Sequence, residues 1–146
     1  MKERFETFTT QIAKISRAIR RIKTEEMKDF NLKSPHVSCL YYLFKNESLT
    51  AKQLCDICDE DKAAISRSIE YLEKNNYLIC DSKTEKRYKS PIMLTEKGKD
   101  VGKAIAEKID NILIVASNGL TDADRQNFYK SLLLISDNLQ KITEEY

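Results

Sequence analysis

The stretch Asp61-Lys62-Ala63-Ala64-Ile65-Ser66-Arg67-Ser68-Ile69-Glu70-Tyr71-Leu72-Glu73-Lys74-Asn75-Asn76-Tyr77-Leu78-Ile79-Cys80 decides the fold. Advancing about 100° per residue from Ile65 brings Ile69 and Leu72 to the same side. Ala63, Arg67, Glu70 and Lys74 then point the opposite way, with Ser66 at the flank. This is a helix with one apolar face and one polar face. It stops at Asn75-Asn76, because asparagine tolerates the left-handed backbone that ends helices. Beyond it the period changes, and Tyr77–Cys80 is a short apolar run of strand length.

Reading outward toward the N-terminus, Thr50 with Gln53 forms a capping box that opens a short helix through Leu54, Ile57 and Cys58. Before that, Ser34-Pro35 reads as an N-cap followed by proline at the first helical position. The helix it starts buries Val37, Leu40, Tyr41 and Phe44. Toward the C-terminus, Pro91–Leu94 is a second strand-length run. The two runs flank the polar segment 81–90, which carries Lys83, Lys86, Arg87 and Lys89, so a hairpin with a basic tip is expected.

The flanks are long amphipathic helices. Phe5, Phe8, Ile12, Ile15, Ile19 and Ile22 alternate by three and four, and Phe128, Leu132, Ile135, Leu139 and Ile142 do much the same after a Thr121/Asp124 cap. Val101, Ile105, Ile109, Ile112 and Ala116 mark a further helix ending at Asn118-Gly119. Only 3 glycines and 2 prolines occur in 146 residues, too few for a turn-rich sandwich or barrel. The expected class is therefore mainly α with a small β-hairpin. No apolar run approaches the length of a bilayer span, and nothing resembles a targeting signal, so a soluble cytoplasmic protein is expected.

The net charge of +2 is uninformative, but the distribution is useful. Residues 1–30 hold 8 basic and 5 acidic groups, residues 48–90 hold 8 of each, and residues 99–146 hold 6 basic and 8 acidic. Any basic surface must come from sorting charges onto faces. No glycine-rich phosphate loop, nucleophile elbow or paired carboxylates are present, which argues against an enzyme. His36 is the sole histidine, excluding a multi-histidine metal site, and no cofactor is expected.

Helix, short helix, turn, helix and charged hairpin is the element order of a winged helix-turn-helix, whose last helix enters the major groove. The run Leu49–Leu54, then Asp61–Arg67, then Leu72–Leu78, and finally Arg87 leading to Leu94-Thr95-Glu96-Lys97-Gly98, resembles the MarR family of bacterial transcription regulators. That resemblance covers nearly the whole chain. It implies a homodimer with a winged-helix lobe at 31–98 and a helical dimerisation region at 1–30 and 99–146. It also implies repression or activation at pseudo-palindromic double-stranded DNA. The expected DNA-binding residues are Thr50, Lys62, Ala63, Ser66, Arg67, Lys83, Lys86, Arg87 and Lys89. Arg67 is placed to grip a base edge or phosphate, and Arg87 to read minor-groove width.

Three departures from the family pattern stand out. Lys86, preceded by Glu85, replaces the aspartate that would brace the wing arginine; Ala63 and Ala64 stand where hydroxyl residues are common; and Asn76 takes the usual glycine position. Relatives in this family often bind small aromatic or phenolic anions between their lobes, and Arg20, Arg21, His36, Tyr41 and Tyr42 are the matching wall residues here. The competing reading of those residues is core tyrosines and solvated arginines.

Cys39, Cys55, Cys58 and Cys80 lack zinc-ribbon or thioredoxin spacing and read as packing thiols. Two alternatives to DNA-binding regulation by ligand remain at this level. One is a winged-helix protein-interaction module, and the other is a cysteine-based redox-sensing regulator.

Overall fold

A computed structural model describes residues 2–58, 60–80 and 89–146. Among these residues, six α-helices and one antiparallel strand pair follow in the order α1 (Lys2–Glu26), α2 (Ser34–Lys45), α3 (Ala51–Ile57), α4 (Lys62–Lys74), β1 (Leu78–Cys80), β2 (Ile92–Leu94), α5 (Glu96–Ala116) and α6 (Asp122–Thr143). A 3-10 turn at Lys28–Phe30 joins α1 to α2; no periodicity announces it. The chain divides into two compact units, Met1–Glu107 and Lys108–Tyr146, with α5 running from one into the other. Among the described residues, no helix is long and apolar enough to cross a membrane.

The core of the first unit is built around α2, which packs against α1, α3, α4 and β2. Met27, Leu32, Val37, Leu40, Leu54, Ile65, Leu72, Ile92 and Ile105 are all nearly fully enclosed. Ile65, Ile69 and Leu72 thus face inward as the helical wheel requires.

The start of α2 differs from expectation. Ser34 is itself helical and buried, and the N-cap is Lys33, with proline inside the first turn. The reason is His36: its Nδ1 accepts the Lys33 backbone N–H at 3.0 Å, the task a glutamate performs in a capping box. A lysine side chain has no acceptor to return, so only this half of the box is made.

Both strands are one residue shorter than their apolar runs. The Tyr77 N–H is spent closing α4, by donation to the Leu72 carbonyl at 2.8 Å, and Pro91 has no N–H to give. The register pairs Leu78 with Leu94, Ile79 with Met93 and Cys80 with Ile92. Leu78, Ile92 and Leu94 are buried while Ile79 and Met93 are exposed, the alternation of a sheet with one covered face. Leu49 adds a bridge to the other side of Ile92, exchanging N–H···O bonds of 3.3 and 2.9 Å. A single bridging residue leaves no sequence pattern.

In the second unit, a turn at 117–120 leads into α6, whose Thr121 hydroxyl accepts the Asp124 N–H at 3.1 Å while Asp124 accepts the Thr121 N–H at 3.0 Å. That is the expected capping box. No residue of α6 is buried.

Candidate nucleic-acid interface

α3 and α4 form the helix-turn-helix. Thr50 opens α3 with both halves of its box made, at 3.2 Å from the Gln53 N–H and 2.9 Å to the Gln53 Oε1. Cys58 closes it, donating its N–H to the Leu54 carbonyl at 2.8 Å. Asp61 caps α4 by accepting the Ala64 N–H at 2.7 Å. The helical wheel of α4 does not announce this cap. Its consequence is electrostatic: the positive end of α4 is already satisfied by the chain's own carboxylate, so phosphate must be met by side chains rather than by the helix terminus.

Those side chains are in place. Lys62, Ala63, Ser66, Arg67, Glu70 and Lys74 are all exposed along α4. Lys62, Arg67 and Lys74 stand there with the carboxylate of Glu70, while Asp61 is engaged at the cap and Glu73 is half-buried, and Ala63 and Ser66 are small enough for close approach. Arg67 makes no hydrogen bond or ion pair among the described residues, so its fork is available. Ser68, by contrast, is buried and donates to the Ala64 carbonyl at 2.8 Å. Thr50 is half-buried and its hydroxyl is already engaged as a cap, while Lys52 and Gln53 beside it are exposed. Lys89 is exposed; Lys83, Lys86 and Arg87 lie outside the described residues.

The five expected ligand-wall residues separate. Arg20 and Tyr42 line a cavity of about 320 Å³ between α1 and α2, together with Ile12, Ile19, Lys23 and Ser38. Arg21, His36 and Tyr41 do not line it. Tyr41 sits edge-on to Tyr42, with ring centroids 5.2 Å apart.

His36 instead stacks on Tyr71 of α4, with centroids 4.3 Å apart and planes at 8°, and Tyr71 in turn donates its hydroxyl to the Asn31 carbonyl at 2.9 Å. Burial, and then the charge of Lys33, hold His36 below its ordinary value of 6.5. Between that value and the lowered folded one, the unfolded chain binds more protons than the folded chain, so stability rises with pH. The contribution is complete above about pH 6.5 and is lost as pH falls toward the folded value. Denaturant titrations between pH 7 and 5 should therefore show a steeper loss for the wild type than for His36→Gln, which keeps an acceptor but does not titrate. Parallel curves would contradict the role given to His36.

Cys39, Cys55, Cys58 and Cys80 form no disulfide. Cys39 and Cys58 are buried and hydrogen-bonded to each other, and that bond, followed by burial, pushes the Cys39 thiol far up. The Cys39 bond, and then Lys23, draw Cys58 down. Cys55 is pushed up, first by burial.

A capped recognition helix over an apolar core, a preceding short helix and a strand pair define a winged helix-turn-helix. The family model described as "Winged helix DNA-binding domain" matches residues 36–113. The chain is 24% identical over 133 residues to the uncharacterized HTH-type transcriptional regulator YybA of Bacillus subtilis (strain 168), covering 90% of this chain and 87% of that one. It superposes with a TM-score of 0.81 at 27% identity on a Listeria monocytogenes protein assigned to the MarR family and solved with 26mer DNA, covering 90% and 87% of the two chains. The transcriptional regulator SlyA gives 0.82 at 22% identity, covering 92% and 94%. The chain belongs to the winged helix DNA-binding domain family and is a DNA-binding transcription regulator of the MarR type. The family is one of regulators and not of enzymes.

Proposed function

We propose that the protein works in the cytoplasm as a homodimeric repressor of pseudo-palindromic operators, placing α4 of each copy in successive major grooves. The exposed face of α4 carries this reading. Arg67 and Ser66 meet base edges or phosphates, Ala63 permits approach, and Lys62 and Lys89 neutralise phosphate. Thr50 adds a backbone contact from the start of α3, and Lys83, Lys86 and Arg87 supply further contacts to phosphate or the minor groove. Residues 31–98 serve as the DNA-binding lobe, and 1–30 with 99–146 as the dimerisation region.

The two-fold partner is argued from apolar surface. Phe5 is 70% exposed, and Phe8, Ile12, Ile15 and Ile19 continue its stripe; Phe128, Ile135, Leu139 and Ile142 are exposed along α6. Continuous apolar stripes of this length are uncommon on monomers and are covered most simply by a second copy. Sedimentation at micromolar concentration should give a dimer, and a folded monomer would contradict it.

The effector is a small aromatic or phenolic anion held in the cavity between α1 and α2. Arg20 and Lys23 supply positive charge there against the carboxylate of Glu60 in the lining, Lys23 already donates to the Ser38 hydroxyl at 2.9 Å, Tyr42 offers a further hydrogen bond, and Ile12 and Ile19 form an apolar wall.

A further inference from the structure

The far end of the recognition helix is tied to α5 by contacts that its DNA-facing side does not use. α4 closes in a Schellman turn, with the Asn76 N–H donating to the Glu73 carbonyl at 3.1 Å and the Tyr77 N–H to the Leu72 carbonyl at 2.8 Å. Asn76 occupies the left-handed region at φ 62°. The turn leaves the carbonyls of Asn75, Asn76 and Tyr77 facing away from the helix, at its negative end.

All three are taken up by the start of α5. The Lys97 Nζ donates to the Asn75 carbonyl at 2.9 Å while lying 4.2 Å from the centroid of the Tyr77 ring. The Thr95 hydroxyl donates to the Asn76 carbonyl at 2.6 Å and accepts the Gly98 N–H at 3.0 Å, capping α5. The Thr95 backbone N–H donates to the Tyr77 carbonyl at 3.1 Å.

We propose that Lys97 is a positioning residue for DNA reading, which together with Thr95 clamps the C-terminal end of α4 to the first turn of α5. It sits at the opposite end of α4 from the Asp61 cap, so the helix is fixed at both ends. A cation at the negative end of a helix, bonded to a carbonyl beyond its last turn and stacked on the next aromatic ring, restrains how that end can swing. Because α5 continues without a break to Ala116, the clamp is also where the helix leading into the 108–146 unit is joined to α4.

The proposal rests on α4 being the DNA-contacting helix. Its test uses the full chain as wild type, Lys97→Met and Lys97→Arg, with a duplex selected by the wild type from a random-sequence pool. Affinity is read by fluorescence anisotropy over a salt series, and amide hydrogen exchange is followed at residues 73–77. Lys97 is exposed, so the methionine leaves no cavity. Lys97→Met should bind about three- to tenfold more weakly, the scale of one charge-assisted hydrogen bond and one cation–π contact. The salt slope should be unchanged, exchange at 73–77 faster, and Lys97→Arg, which can both donate and stack, should recover most of the affinity. Unchanged affinity for Lys97→Met would overturn the proposal. A salt slope reduced by about one unit would do so as well, since Lys97 would then be pairing with a phosphate itself. If the wild type selects no duplex, the reading of α4 fails, and the exchange measurement still decides the clamp: unchanged protection at 73–77 in Lys97→Met overturns it.

Discussion

Gly98→Ala will cost the fold about 3 kcal/mol or more, the upper range for inserting a methyl group where nothing can yield. A Cβ built on Gly98 lies 1.9 Å from the Tyr77 carbonyl oxygen and 3.1 Å from the Leu94 side chain. The first of these is backbone and cannot turn aside. It also accepts the Thr95 N–H, so pushing it away breaks the start of α5 together with the end of α4. Gly102, one turn on, meets α2 in the same manner, its would-be Cβ 2.9 Å from that of Phe44. For a chain of this size each kcal/mol moves the melting temperature by roughly 2–4 °C, so a fall of roughly 6–12 °C is expected, with a matching drop in the denaturant midpoint. A loss under about 1 kcal/mol would mean that α5 does not approach residue 77 as closely as described.

Arg67→Ala will weaken specific binding by about 1–3 kcal/mol per half-site, the value of a good bidentate base contact. The guanidinium stands on the exposed side of α4, opposite Ile65, Ile69 and Leu72, and makes no ion pair among the described residues that would have to be broken first. With Ala63 and Ala64 in place of hydroxyl residues, fewer neighbouring groups can compensate. In a dimer the substitution acts in both half-sites, so the loss is doubled. Competition between selected and scrambled duplexes checks it: Arg67→Ala should lose preference as well as affinity. An equal weakening on both duplexes would reduce Arg67 to a phosphate contact.

Much of this arrangement is legible in local sequence, because the signals involved span no more than a few residues. The α4 wheel, the Thr50/Gln53 and Thr121/Asp124 boxes and the left-handed Asn76 each follow from spacing alone, and each is found. The features that escape are of two kinds. Some are too short for any period, as with the turn at Lys28–Phe30 and the single bridge at Leu49.

Others join distant residues. Lys97 reaches Asn75 across 22 positions, and Tyr71 reaches Asn31 across 40. Such contacts exist only once the core has brought the elements together. The same limit explains the ligand wall. His36, Tyr41 and Tyr42 share α2, yet His36 turns to α4 and Tyr42 to the cavity beside α1. Spacing along α2 does not say which neighbour each face will meet.

The most direct measurement is an anisotropy titration of the full-length wild type and Arg67→Ala onto selected and scrambled duplexes at several salt concentrations. If α4 reads DNA, the logarithm of the wild-type binding constant falls linearly with the logarithm of salt, the selected duplex is preferred, and Arg67→Ala abolishes most of that preference. Wild-type binding that is absent or insensitive to salt, or an Arg67→Ala variant that binds both duplexes as the wild type does, would contradict the assignment of α4 as the recognition helix.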